Sequence, residues 1–234
     1  MRVSALFVYP VKACRAVAVD EAALGPLGFE LDRRFAFVDA DGRAVTQRNQ
    51  PLLATIRPAV EDDALRLDFG GLAQGVIDFG SFKKSMQVDV WGTPIPGRVA
   101  VADDASDYLG MRVALVMLDA DAQRSFADAE PVLVTTTSML SRLNVPGIGM
   151  DRFRPNVVLD RNEQWRELRA SDAVLEYAKP CGRCEVTTID QASGARRGPE
   201  PLRTLNERFA GNFGVYCQVA RSGRLRRGER VTTA

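Results

Sequence analysis

The sequence predicts a mixed, β-rich α+β protein built of two packed modules, and three observations lead there. A chain of 234 residues with 46% apolar and 26% charged residues is long enough to bury one large or two small cores. Its first half is divided by glycine and proline into short runs that alternate apolar and polar residues, which suggests a barrel or sandwich. In its second half, strand-like runs are interrupted by short segments of helical spacing. A boundary falls near residue 120, giving modules 1–120 and 121–234, with no repeat, low-complexity tract or long linker between them.

Each element has its own reason. Residues 3–9 form a compact apolar run that Pro10 ends. Residues 34–38 and 43–47 flank Asp41-Gly42, and the tolerance of both turn residues for positive φ predicts a hairpin. Leu65, Leu67 and Phe69 alternate with polar residues, as do Met86, Val88 and Val90, so each run turns one face to a core. A short helix is expected over 104–109, with Asp103 as N-cap and Gly110 just past its end. Residues 112–118 read as a strand and 119–129 as a polar connection.

Beyond it, residues 132–134 are strand-like, and Thr135, Thr136 and Thr137 offer caps for a helix running to Leu143. Residues 156–159, 174–177, 185–189 and 215–220 add β segments. Leu202, Leu205 and Phe209 fall at helical spacing with Gly211 as the stop. Trp165 and Leu168 look like packing residues, and residues 223–231 alternate as an exposed strand and turn would.

Composition excludes several classes of function. The 31 basic and 30 acidic residues nearly cancel, so no global field draws the chain to nucleic acid or to an anionic membrane surface. The N-terminal apolar run is broken by Pro10 and Lys12 and is followed by no small-residue cleavage site, and nowhere do about 18 apolar residues run together. Four cysteines are too few for a secreted disulfide scaffold. A cytoplasmic protein with reduced thiols, and with neither nucleic acid nor membrane as partner, is expected. The absence of histidine rules out Ser-His-Asp triads, Cys-His dyads, HExxH zinc helices and Cys/His zinc fingers, all of which need an imidazole.

The most informative motif is Cys181-Gly182-Arg183-Cys184. A closed zinc site needs four N/S ligands, and only Cys14 and Cys217 remain, far apart in sequence. A redox dithiol belongs at the start of a helix, whereas 185–189 reads as a strand. The CxxxxCxxC iron–sulfur spacing is absent. There remain a single thiolate on a soft metal, with Arg183 raising the local potential and Gly182 admitting close approach, and a buried, inert cysteine. Spacing does not choose between these.

Basic residues also occur in unusual settings. Lys12 follows Tyr9-Pro10-Val11, Arg33-Arg34 precede Phe35, and Arg154-Pro155-Asn156 lies between Phe153 and Val157. Singly, each reads as a surface salt bridge; with a cysteine loop they would suit a large anionic, sulfur-bearing cofactor. Phe213-Gly214-Val215-Tyr216 offers a glycine and a phenol donor, or equally a core strand with one tyrosine.

Together, Phe153-Arg154-Pro155-Asn156-Val157-Val158, Lys179-Pro180-Cys181-Gly182-Arg183-Cys184 with Thr187-Thr188, and the segment from Gly223 to Val231 resemble the MOSC domain. Tyr9-Pro10-Val11-Lys12, Asp32-Arg33-Arg34-Phe35 and the Asp41-Gly42 hairpin resemble the N-terminal β-barrel domain that accompanies it. Within that family the chain is similar to the amidoxime-reducing branch and its bacterial counterparts. The resemblance implies a β-barrel-like domain packed on a MOSC β-barrel with a few short helices. It also implies a molybdenum-dependent oxidoreductase that holds the molybdenum cofactor (molybdopterin) and reduces N-hydroxylated substrates.

Carried over by motif, Cys184 would be the metal ligand beside the two dithiolene sulfurs, with Gly182 and Arg183 lining the cofactor. Lys12 and Arg34 would meet its phosphate or pterin from the first module and Arg154 from the second, while Asn156 would hold that loop and Tyr216 would touch the cofactor. Asp128-Ala129-Glu130-Pro131 matches a segment whose backbone approaches the cofactor, and Asp128 would orient substrate or relay a proton. Ala13 stands where relatives often carry serine, so one side-chain hydrogen bond to the cofactor would be missing, and Ala129 and Glu130 replace hydroxyl residues of some relatives, so contact at those two would run through the backbone. The ferredoxin-like extension of some bacterial relatives is not in this sequence, so electrons are expected from a separate ferredoxin-, flavin- or cytochrome-type protein. The resemblance also allows a non-catalytic cofactor carrier or sulfur-delivery module, as in MOSC domains fused to cofactor sulfurases.

Overall fold

A computed structural model describes residues 1–161 and 164–234. In the first half the strands are β1 (Val3–Val8), β2 (Val17–Val19), β3 (Glu21–Gly25), β4 (Gly28–Phe29), β5 (Phe35–Val38), β6 (Ile56–Val60), β7 (Ala64–Phe69), β8 (Gln74–Asp78), β9 (Lys84–Val90) and β10 (Thr93–Val101). Helix α1 (Asp103–Leu109), β11 (Ala114–Leu118), β12 (Val132–Thr136), α2 (Thr137–Leu143), β13 (Val157–Leu159) and β14 (Glu167–Arg169) follow. The chain then forms β15 (Val174–Gly182), α3 (Leu202–Arg208), β16 (Asn212–Arg221), β17 (Gly223–Arg226) and β18 (Thr232–Thr233). The architecture is therefore β-rich α+β with three short helices, as the patterning requires.

The largest sheet runs β18-β14-β15-β16-β12-β13-β1-β2, beside a four-stranded sheet β5-β11-β10-β9 and two three-stranded sheets, β17-β3-β4 and β6-β7-β8. β1 and β2, from the start of the chain, complete the large sheet otherwise built by the second half: Leu6 pairs with Val157 on one side and Val19 on the other. Cores follow the same division. One packs Phe35, Phe37, Leu53, Ile56, Leu67 and Phe69 of the first half. Another joins Val3, Leu6, Leu24 and Phe29 to Val132, Val157, Leu175 and Leu225. A third, small cluster seats Phe153 and Phe213, whose rings stack at 3.7 Å, against Leu143 and Leu205 of α2 and α3.

Local chemistry explains the elements and the departures from expectation. Thr136 caps α2 by accepting the Met139 N–H at 3.0 Å, and Gly110 ends α1 at φ 62°. α1 starts one residue early: Asp103 is inside the helix and Ala102 holds the cap position without a side-chain bond. The Asp41-Gly42 reversal forms, but the residues after it contribute only the isolated Val38–Ala44 and Arg43–Asp89 bridges instead of a strand. Ala44 is drawn to the Asp89 carbonyl at 3.0 Å, and Asn49 Oδ1 then turns the chain by accepting the Thr46 N–H at 2.9 Å.

The larger correction concerns the segment after Cys184. Glu185–Thr188 is a one-turn 3-10 helix, not a strand. Its β-branched residues favour a strand, but Thr187 Oγ1 bonds the Cys184 carbonyl at 2.9 Å and Thr188 Oγ1 the Glu185 carbonyl at 2.7 Å. Those local bonds win. No helix among the described residues is long and apolar enough to cross a membrane.

Candidate functional site

A cleft opens where the two halves meet. Lys12, Ala13, Arg33 and residues 46–48 line it from the first half. From the second half come residues 127–131, Leu133, Phe153, Arg154, Asn156, residues 182–184, Val186 and Tyr216. Of the residues singled out in the sequence, Lys12, Ala13, Asp128, Ala129, Glu130, Arg154, Asn156, Gly182, Arg183, Cys184 and Tyr216 all converge here. Arg34 does not. Its neighbour Arg33 adopts φ 49°, which swings that guanidinium over the Tyr9 ring at 4.1 Å and toward the cleft.

The two cysteines are separated by burial. β15 shifts register between Tyr177 and Lys179 and again between Pro180 and Gly182, and such bulges re-aim a strand's side chains. Cys181 ends fully buried, with Arg183 Nη1 at 2.8 Å from its sulfur. Cys184 is half-buried and lines the cleft, where Arg48 Nη2 donates to its Sγ at 3.2 Å. The strand expected after Cys184, the sequence argument against a redox dithiol, does not form; the two thiols differ instead in exposure. Cys14 and Cys217 lie within hydrophobic cores, where burial pushes both thiols up.

A buried polar network fixes the cationic wall. The Asp32 carboxylate accepts the Tyr9 N–H at 2.8 Å, Arg33 Nη1 at 2.5 Å and Asn156 Nδ2 at 3.0 Å. Asn156 also accepts the Leu133 N–H at 3.1 Å and donates to the Phe7 carbonyl at 3.2 Å, so it ties β1 to β12 and lends the cleft shape more than a free donor. Arg154 stacks on Tyr9 at 4.5 Å and donates to Gln191 Oε1 at 3.3 Å. Gln191 in turn pairs with Gln47, which donates to the Ala13 carbonyl at 2.6 Å. Ala13, Arg33 and Arg154 all take positive φ (65°, 49° and 53°), strain that side chains other than glycine accept where surrounding bonds impose it. Burial pushes the Tyr9 phenol up to about 12, although both guanidinium groups oppose the shift.

Asp128 is paired with Lys12 and accepts the Trp91 indole N–H at 2.8 Å. Burial alone would raise its pKa, but the Lys12 charge and the bonds from Lys12 and Trp91 outweigh that and hold the carboxyl well below the ordinary 3.8. A carboxylate held this way is ionised at neutral pH and serves there as a hydrogen-bond acceptor for Lys12 and Trp91. Because its folded pKa is depressed, the pair's contribution is present above about pH 4 and is lost as pH falls further. Solvent screening keeps that contribution small. The carboxyl carbon shift of Asp128 in an NMR titration is expected to stay flat from neutrality down through about pH 4, where an ordinary aspartate is half protonated. A midpoint at about 4 or above would show the Lys12 pair to be broken.

The sequence reading names Arg33 together with Arg34 but expects the cofactor contact of Arg34. Arg48, inside a polar run after Val45, and Trp91, which touches Arg48 and Asp128, are not singled out there for the site. Trp91 carried a legible signal: Trp91-Gly92 joins β9 to β10 in a two-residue hairpin with both φ positive (56° and 79°), where Asn-Gly is the usual choice.

Comparison with known proteins agrees with this two-part construction. Residues 1–114 match the family described as the MOSC N-terminal beta barrel domain, and residues 121–232 match the MOSC domain. Mitochondrial amidoxime-reducing component 1 of Xenopus laevis is 30% identical, across 98% of this chain and 81% of the relative. Mitochondrial amidoxime reducing component 2 of Bos taurus is 28% identical across 98% and 82%. A molybdenum cofactor sulfurase of Drosophila grimshawi is 27% identical across 90% of this chain and 31% of its own length. The chain belongs to the MOSC family, with an N-terminal MOSC β-barrel domain preceding the MOSC domain.

Proposed function

We propose that the cleft holds a molybdenum cofactor and that the protein reduces N-hydroxylated substrates with electrons from a separate redox protein. The observation that carries this reading is the single cleft-lining thiol among the described residues, Cys184, set among Lys12, Arg33, Arg48, Arg154 and Arg183. Five cations face two carboxylates, Asp128 and Glu130, an excess that suits an anionic, phosphate-bearing group. Arg183 Nε is buried with no hydrogen-bond partner among the described residues, a donor that a bound acceptor would satisfy. A Cβ added to Gly182 would meet only Asn212 Oδ1, at 3.9 Å, so the protein's own packing does not demand glycine there. The residues present fit the group.

When bound, the cofactor supplies two-electron reduction of an N–O bond, balanced by two protons and release of water. Cys184 provides the thiolate ligand, and the cations hold the anionic part in place. Tyr216 keeps its proton, because burial and then the neighbouring Cys181 push the phenol up, and so it remains a donor at neutral pH. Placement in the cytoplasm and a ferredoxin-, flavin- or cytochrome-type donor belong to the same proposal.

The test is the molybdenum and pterin content of the purified protein, followed by reduction of a hydroxylamine or amidoxime under an artificial reductant. Stoichiometric metal with turnover supports the oxidoreductase; metal without turnover supports a cofactor carrier; no metal after production in a cofactor-competent host overturns both. Gly182→Ala sharpens the result. It is expected to keep stability within about 0.5 kcal/mol, since the added Cβ meets nothing nearer than Asn212 Oδ1 at 3.9 Å. The same bulk, projecting where the cofactor would lie, is expected to cut cofactor affinity on the order of tenfold to a hundredfold. Equal metal content in both proteins would remove Gly182 from the cofactor's path.

A further inference from the structure

We infer that Arg48 is a positioning residue for the Cys184 sulfur and that Trp91 is the platform that aims it, an inference resting on the reading of Cys184 as the metal ligand. The Arg48 guanidinium sits 3.2 Å from Cys184 Sγ and stacks 4.4 Å above the Trp91 ring. Trp91 is anchored by its indole N–H on Asp128, the carboxylate that also holds Lys12. A chain of contacts thus runs from the β9–β10 hairpin to the sulfur.

Two further observations make this arrangement more than a chance approach. The first is strain without burial. Trp91 occupies a left-handed turn position at φ 56°, which costs a bulky residue on the order of 1–3 kcal/mol, yet the side chain is 55% exposed and repays little of that by packing. What the position provides instead is the ring under Arg48 and the N–H on Asp128. The second is a backbone tie: Arg196 Nη2 donates to the Arg48 carbonyl at 2.9 Å while its Nη1 pairs with Glu185, next to Cys184, at 2.9 Å. The loop carrying Arg48 and the turn carrying Cys184 are therefore held in register by one arginine.

A charged N–H on a ligand sulfur withdraws electron density from it and fixes its direction, as outer partners do for other metal ligands. Lysine cannot replace arginine here, because only a planar guanidinium both lies on an indole and points a donor at the sulfur.

The experiment uses the full-length protein purified from a host that makes no cofactor. Alkylation of Cys184 by anionic iodoacetate and by neutral iodoacetamide is followed by peptide mapping, and the ratio of the two rates reports the positive charge at the sulfur independently of how much thiolate is present. Arg48→Gln is expected to lower the ratio on the order of fivefold. Trp91→Ala is expected to lower it nearly as far, and Trp91→Phe, which keeps a ring, to lower it least. An unchanged ratio in Arg48→Gln and Trp91→Ala overturns the inference. In cofactor-loaded protein, Arg48→Gln is expected to shift the paramagnetic Mo(V) signal and weaken metal retention about tenfold. Unaltered retention and signal in a variant whose parent carries molybdenum sinks the inference alone. Absence of molybdenum from every protein sinks the proposed function, and the alkylation ratio then still decides whether Arg48 governs this sulfur.

Discussion

A Cys184→Ser protein is expected to fold normally and to lose nearly all its molybdenum and all measurable N–O reduction, whereas Cys181→Ser keeps most of both. Outer partners of a metal ligand are worth roughly 10–100-fold in affinity or activity, and removal of the ligand itself should exceed that. The contrast comes from placement. Cys184 is half-buried in the cleft wall, and its replacement removes the one thiol the cleft offers among the described residues. Cys181 is fully buried behind it, and a serine hydroxyl can still accept from Arg183 Nη1, now 2.8 Å from the sulfur. The cost at Cys181 is then one of stability, about 1–3 kcal/mol for a polar group placed in an imperfect site. Metal analysis and turnover of both variants check this. Full metal and turnover in Cys184→Ser would defeat the assignment, and the reverse pattern would move the ligand to Cys181.

Patterning made the strands legible because alternation has a period of two residues and is read directly: β7 and β9 lie where Leu65, Leu67, Phe69 and Met86, Val88, Val90 placed them. It could not reveal that β1 would join the sheet of the other half, since pairing over about 150 residues leaves no local trace. The cleft residues were legible as types, and the cysteine, lysine and Arg154 motifs were found in sequence. Directions were not. Arg33 and Arg34 are neighbours of the same chemistry, and only the left-handed turn at Arg33 decides which one faces the cleft. Segment 185–189 failed for a different reason: two of its β-branched residues, Thr187 and Thr188, carry hydroxyls, and these bonded local carbonyls in preference to forming a strand. Arg48 matters through its contacts with Cys184, 136 positions away, and with Trp91. No spacing rule reaches that far.

The largest loss of stability is expected from Asp32→Ala, about 3–5 kcal/mol, read as a fall in denaturation midpoint at unchanged slope. Asp32 is 1% exposed, and three donors converge on it from three segments: the Tyr9 N–H after β1, Arg33 in the turn before β5, and Asn156 before β13. Alanine would leave the Arg33 guanidinium, whose side chain is only 14% exposed, without its counter-charge, and two further donors without an acceptor. Asp32→Asn keeps Oδ1 for Tyr9 and Asn156 but sets its amide NH2 against the Arg33 Nη1 donor and removes the counter-charge, so it should recover only the part of the loss that Tyr9 and Asn156 account for. The exposed Arg43–Asp41 pair, with both side chains about two-thirds exposed, is the control, and Arg43→Ala is expected to change stability by no more than about 0.5 kcal/mol. Equal small effects at both places would mean that Asp32 is not the junction of the two halves. A large effect at Asp32 alone would mean that the wall carrying Arg33 and Arg154 is held by one buried carboxylate, so that Asp32→Ala should also disorder the cleft while leaving Cys184 chemically intact.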